Sequence, residues 1–344
     1  MAYAALDAID DAIDATKGFL LPFEFGKWLR LAVIMIFVAG GGGGGANWAT
    51  NAPQFADSGG SSGVSPADAG TALPDAAIGG LVLAIIGLAV LVVLFFLVVT
   101  PIMEFVFVES LFEREVHIRR YFSQNVGNGL RLLGFQLAVG LVGLLLIGIP
   151  FALFLLGVIG GGNGMAAAGI ILLLLPIVFV YAIVAGLVNG LTTVFVVPVM
   201  VAEERGLLSA WGRVWSAMTD DLAEFLVYVV ISVILGIGVA IVAGFASLFA
   251  LLLLGIPFAI VAFGVFTVGG TGMASVVVLA ALGLVAFVLF LLATGFVQAP
   301  LQSFLRYYAM LVLGDIAPDL DPIPAISSEV RDEDDDNGDA AVAA

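Results

Sequence analysis

The chain contains no cysteine, one histidine and two lysines in 344 residues. Without cysteine there are no disulfides, no thiolate nucleophiles and no Cys-ligated metal sites. A single histidine, His117, rules out His-rich metal centres and most Ser–His chemistry. Charge is scarce as well: 11% of residues are charged and 62% are hydrophobic. The sequence also lacks His-Glu-x-x-His, Gly-x-Ser-x-Gly, a P-loop and a dinucleotide fingerprint. No enzymatic activity, cofactor, metal or nucleic-acid partner is expected.

What the chain does have is long oily runs. A bilayer core about 30 Å thick needs about 20 apolar helical residues to cross it. Runs over 28–45, 78–106, 132–159, 166–201, 225–268 and 274–299 predict spans, the last continuing as helix to Leu313. The expected fold is an all-α polytopic membrane helix bundle of about six transmembrane helices in repeated hairpins. Three regions follow: an N-terminal amphipathic segment (1–27), a transmembrane domain (28–313) and a disordered acidic tail (314–344). Stretch 225–268 is too long for one straight crossing. It reads either as one crossing with a kinked or re-entrant piece at Gly255-Ile256-Pro257, or as two.

Cation placement orients the helices. Lys17, Lys27 and Arg30 precede the first span. Arg114, Arg119, Arg120 and Arg131 lie between spans two and three, Arg205 and Arg213 between four and five, and Arg306 after the sixth. Loops 46–76, 160–165 and 269–273 carry no cation. The positive-inside rule then places both termini in the cytoplasm and favours six crossings of the cell membrane.

The opening residues are acidic where a secretory leader would be basic, so no cleaved leader is expected. Residues 3–17 predict a surface helix, with Leu6, Ile9 and Ile13 on one face and Asp7, Asp10, Asp11 and Asp14 on the other. Net charge is -16, arginine replaces lysine almost throughout, and 332–336 is an unbroken acidic run. Such acidity keeps proteins soluble where salt screens repulsion, the Debye length falling to about 3 Å at 1 M. It points to a salt-loving source.

An internal repeat is also legible. Gly161-Gly162-Asn163-Gly164-Met165-Ala166 recurs as Gly269-Gly270-Thr271-Gly272-Met273-Ala274, and Gly148-Ile149-Pro150-Phe151 as Gly255-Ile256-Pro257-Phe258. Pro101, Pro198 and Pro300 each close an even-numbered span. The copies share a charge bias, which makes this a parallel repeat rather than an inverted one. Pro150, Pro176 and Pro257 are expected to kink their helices.

Few polar residues interrupt the oily runs. Glu104 is the best ionisable candidate, because intramembrane carboxylates mark function by default. It reads either as such a site or as an interfacial carboxylate paired with an arginine of the loop between spans two and three. Glu104, Gln136, Asn189 and Gln298 form a candidate polar cavity; the alternative for Asn189 is an interhelical hydrogen bond. Glu113 and His117 share a helix face but are too few to hold a metal. Leu207, Leu208, Trp211, Val214, Trp215 and Met218 predict an interfacial amphipathic helix, with Trp211, Arg213 and Trp215 its interfacial residues.

Residues Ala5-Leu6-Asp7-Ala8-Ile9-Asp10-Asp11-Ala12-Ile13-Asp14-Ala15-Thr16, Leu21-Pro22-Phe23 and Trp28-Leu29-Arg30-Leu31-Ala32, with the glycine run Gly40–Gly45, are similar to an uncharacterised family of haloarchaeal multi-pass membrane proteins. That resemblance covers most of the chain. Gly206, Ala210 and Trp211 loosely resemble the membrane domain attached to some glycerophosphodiester phosphodiesterases, whose catalytic barrel is not seen here. Neither resemblance carries an active site over. The expected function is a non-enzymatic membrane scaffold whose partners are the lipid bilayer and other membrane proteins. The alternative is a small-solute transporter or channel.

Overall fold

The computed structural model describes residues 4–41, 75–159, 164–270 and 272–331. Among them there is no β-strand. The helices in chain order are α1 (Ala4–Leu20), α2 (Phe25–Gly41), α3 (Asp75–Phe112), α4 (Ile118–Gly143), α5 (Ile149–Ile159), α6 (Gly164–Leu191), α7 (Val197–Ala202), α8 (Leu207–Asp220), α9 (Leu222–Gly269), α10 (Met273–Ile316) and α11 (324–331). Two π turns, Leu144–Gly148 and Thr192–Val196, join α4 to α5 and α6 to α7 as continuous rods.

Five described stretches are long and apolar enough to cross a membrane: Gly87–Phe112, Ile118–Ala152, Leu174–Ala202, Leu222–Gly269 and Ala274–Ile316. The first expected span corresponds to α2, which is followed as far as Gly41; its remaining glycines and the 46–74 loop lie outside the described residues. Stretch 225–268 is one unbroken helix with no return turn, so the two-crossing alternative falls. Helix runs on through Pro101, Pro176, Pro257 and Pro300.

Packing is concentrated at one end of the rods. α9 pairs extensively with α10, α10 with α2 and α1, α3 with α4, and α2 with α3. The buried core joins α1, α2, residues 102–111 of α3, the second π turn with α7, the inner face of α8, and residues 299–313 of α10. Beyond this cap, α6, α9 and the first half of α10 expose Leu, Val, Ile and Phe along most of their length. An apolar surface of that kind is stable only against lipid or another protein.

α1 turns a different face inward from the one its periodicity suggests. Ala8, Ala12, Ala15 and Phe19 are buried, while Leu6 and Ile13 are exposed. α1 packs on α10, and the alanine stripe lets the two backbones approach more closely than leucine or isoleucine would. The C-terminal carbonyls of α1 are capped from α2: Lys27 Nζ donates to the Phe19 carbonyl and Trp28 Nε1 to that of Leu20, at 3.3 Å. Burial pushes the Lys27 ammonium below the usual lysine range, with Glu24 and Glu115 opposing the shift.

The segment expected to be disordered from 314 is docked as far as Arg331. Leu320, Ile323, Ile326 and Val330 are buried, Glu329 pairs with Arg114 at 2.8 Å, and Arg331 pairs with Asp315. The acidic run 332–336 lies outside the described residues, as do the first half of the first glycine-loop motif (161–163) and Thr271 of its second copy.

Two glycines let one helix approach the backbone of another. A Cβ on Gly129 of α4 would meet Ile102 of α3 at 2.5 Å from Cγ1 and 2.8 Å from Cα; one on Gly295 of α10 would strike the Ala32 carbonyl of α2. Gly129→Ala is therefore expected to cost about 1–3 kcal/mol. Gly134→Ala, which meets nothing within 4 Å, should gain up to about 1 kcal/mol of helix propensity. Thermal unfolding of both variants in detergent checks this; equal midpoints would refute the α3–α4 contact.

Candidate functional site

The cap is organised around a buried ion pair. Glu104 of α3 and Arg306 of α10 are 1% and 4% exposed, and Arg306 Nη2 donates to Glu104 Oε2 at 2.8 Å. Arg306 Nη1 donates to the Thr193 carbonyl in the second π turn. The guanidinium also lies over the Phe107 ring, 5.8 Å from its centroid. Three rods are thus tied by one side chain.

The Thr193 carbonyl is available because of the local sequence. Within the π turn the Val197 N–H bonds back to the Thr192 carbonyl, five residues earlier. The next N–H in that register would serve Thr193, but position 198 is proline and has none. In a membrane no water replaces it, so the carbonyl needs a donor from elsewhere in the protein. Arg306 supplies that donor.

Stacking of Tyr228 on Tyr308, with ring centroids 5.7 Å apart, sets the α9–α10 register. Arg306 then lies about six residues, or roughly 9 Å, further into the apolar zone than Glu224. The structure corrects two readings of the sequence here. Arg306, expected on the helical continuation beyond the sixth span, lies within the apolar stretch Ala274–Ile316 and is buried. Glu104 takes Arg306 as its partner, not an arginine of the α3–α4 connection.

The other candidate polar residues divide. Asn189 Oδ1 and Gln298 Oε1, like Glu104 Oε1, are buried oxygens with no hydrogen-bond partner among the described residues. Asn189 precedes Thr193 by one turn of the same rod. Gln298 precedes Arg306 by eight residues on α10, about 12 Å along the axis. Gln136 is placed elsewhere. Counting from the Gly129–Ile102 contact, it sits about 13 Å deeper than Glu104 along the α3–α4 pair. The four do not converge on one point.

The predicted interfacial helix is α8, and its face is split. Leu207, Ala210, Val214, Ala217 and Met218 point into the cap, whereas Leu208 and Trp215 are exposed. Trp211 is half-buried and its Nε1 donates to Thr192 Oγ1 at 3.0 Å, so α8 braces the π turn. Arg213 pairs with Glu203 at 3.2 Å, and Arg205 reaches the same carboxylate at 3.0 Å. Glu113 accepts from the Tyr121 hydroxyl at 2.7 Å and His117 faces Glu115 at 3.5 Å, so the two share no ligand site. Among the described residues, no group of three or more potential ligands could hold a metal ion.

The arrangement cross-links three rods, and its two charges neutralise each other. A family model describing a family of unknown function, DUF7544, matches residues 3–323. The chain belongs to that family. No curated protein and no solved structure matches it.

Removing one member of a buried pair strands the other, so Arg306→Met is expected to cost about 3–5 kcal/mol. Adding Glu104→Leu should recover only part of the loss, because the Thr193 carbonyl stays unpaired at about 1–3 kcal/mol. Including Pro198→Ala, which restores an N–H in that turn, should narrow the gap. Unfolding midpoints of the three variants measure this; full recovery in the double variant would dismiss the carbonyl's role.

Proposed function

We propose that this chain is a non-enzymatic integral membrane scaffold whose apolar helical arms engage partner membrane proteins and lipid. One observation carries the reading. α9 has 48 residues, about 72 Å of helix. Even at the steep end of observed tilts, near 40°, a core about 30 Å thick covers only about 39 Å of it. Phe263 is exposed on the remaining length, and Phe245 and Phe249, each at least two-thirds exposed, lie on the same side of the helix nearer its middle. Another protein's apolar surface is the natural cover. The packed cap is the rigid base from which the arms project.

The same reading includes six crossings with both termini cytoplasmic, a parallel hairpin repeat, and a source adapted to molar salt. Arginine placement and the paired glycine and proline motifs support these. Solute passage is the second reading, and the unpaired oxygens of Glu104, Asn189 and Gln298 favour it.

The cysteine-free chain makes the tests clean. Phe249→Cys and Phe263→Cys should cross-link in native membranes into adducts larger than the monomer, while Leu208→Cys on the cap should not. Monomer at every position sinks the scaffold reading. Impermeant maleimide should label Gly60→Cys and Asp335→Cys from opposite sides. In proteoliposomes, solute flux abolished by Glu104→Gln would move the assignment to transport.

A further inference from the structure

Cations are the scarcest resource of this protein, with 11 against 27 acids. Five of its nine arginines are held by carboxylates: Arg114, Arg205, Arg213, Arg306 and Arg331. Among the described residues, Arg30, Arg119, Arg120 and Arg131 have no carboxylate at ion-pair distance. The first three line one groove of about 660 Å³, together with His117 and Ser123, and no carboxylate lines it. Three like charges sharing a hollow repel one another, and the nearest acids flank it without pairing with them: Glu115 faces His117 at 3.5 Å and Glu109 feels Arg120 through space.

The groove is partly preorganised. Arg30 Nη1 donates to the Val116 carbonyl at 3.2 Å, which fixes the guanidinium and leaves its other donors free. Arg120 lies over the Tyr121 ring, 5.8 Å from its centroid. α4 starts at the groove with no acid in its first turn and no side-chain cap on its N–H groups. Those N–H groups add to the positive potential that the guanidiniums establish.

Depth identifies the occupant. Arg30 lies within one turn of Trp28, and Phe23 and Phe25 are exposed beside it. Exposed aromatics at the start of an apolar helix mark headgroup level. Anions at that height are lipid phosphates, and planar guanidiniums match phosphate oxygens in pairs. We propose that the Arg30–Arg119–Arg120 groove binds the phosphate of an anionic lipid headgroup. The inference rests on the membrane reading for the groove's depth but not on the arms finding a partner, so lipid counts and Phe249 cross-links can fail separately.

The test uses the full chain in nanodiscs of phosphatidylcholine doped with phosphatidylglycerol, with retained anionic lipid counted by native mass spectrometry. Each of Arg30→Gln, Arg119→Gln and Arg120→Gln should weaken retention roughly fivefold. Arg131→Gln, on the same helix outside the groove, should leave it unchanged, and the triple Arg→Lys variant, which keeps the charge but not the fork, should retain more than the triple Arg→Gln variant and less than the parent chain. Retention unaffected by the triple Arg→Gln variant, or lost equally with Arg131→Gln, overturns the proposal. Inorganic phosphate in plain phosphatidylcholine discs should give no comparable thermal shift; a shift that needs the same arginines would reassign the groove to a free anion. A chain ending at Arg331 should retain as much lipid as the full chain; a large gain would make the acidic run 332–336 the occupant instead.

Discussion

A polar group inside a membrane has no water to fall back on, and the cap follows from that constraint. Pro198 removes one N–H and the π turn diverts another, which together leave the Thr193 carbonyl without a partner in its own rod. A lone arginine brought in to bond it would carry a charge into lipid at several kcal/mol. Glu104 cancels that charge, and a third rod is thereby drawn in. One missing N–H thus recruits a guanidinium, the guanidinium recruits a carboxylate, and α3, α6–α7 and α10 are fixed together. α8 reinforces the same point, since Trp211 bonds the side chain of Thr192.

The cap and the arms obey different packing rules. In the cap, small residues admit close backbones: Ala8, Ala12 and Ala15 on α1, Gly129 under Ile102, and Gly295 under Ala32. Among apolar side chains in lipid there is no hydrophobic gain in bringing helices together, so association depends on this closeness and on polar bonds. The arms have little of either. α6 runs beside α5, and it reaches α4 where Tyr181 donates to the Val139 carbonyl at 2.5 Å over Gly143. The described apolar faces that these contacts leave exposed are open to cover by something else.

Helical class and five apolar stretches long enough to cross a membrane were legible in the sequence, and Glu104 stood out there as a lone carboxylate, because apolar run length and an isolated charge are one-dimensional signals. Arg306 was misplaced for a physical reason. It sits six residues past Pro300, where an arginine normally snorkels to the headgroups, and only its three-dimensional partners reveal that it turns inward. The inward face of α1 was missed because hydrophobicity ranks leucine and isoleucine above alanine, whereas helix contact ranks by size. π turns leave no periodic trace. The nearest signal was the row of closing prolines: Pro101 stands three residues before Glu104, Pro198 five after Thr193 and Pro300 six before Arg306. Docking of 314–331 was hidden by its prolines and acids, although Leu320, Ile323, Ile326 and Val330 already carry the spacing of a buried face.

Charge placement completes the account. Arginines at Arg114, Arg205, Arg213 and Arg331 join exposed segments through pairs that water and salt weaken, and such pairs contribute little each. Arg306 is shielded from solvent, so its pair keeps its strength where screening is short-ranged. A protein with so few cations therefore separates their uses by depth. The buried one holds the bundle, the paired surface ones tether loops and tail, and three of the four left without a carboxylate, Arg30, Arg119 and Arg120, gather where the membrane itself supplies negative charge. The last group needs no acidic partner from the chain, since a headgroup phosphate at the height of Trp28 offers stronger and more numerous acceptors than a solvated carboxylate.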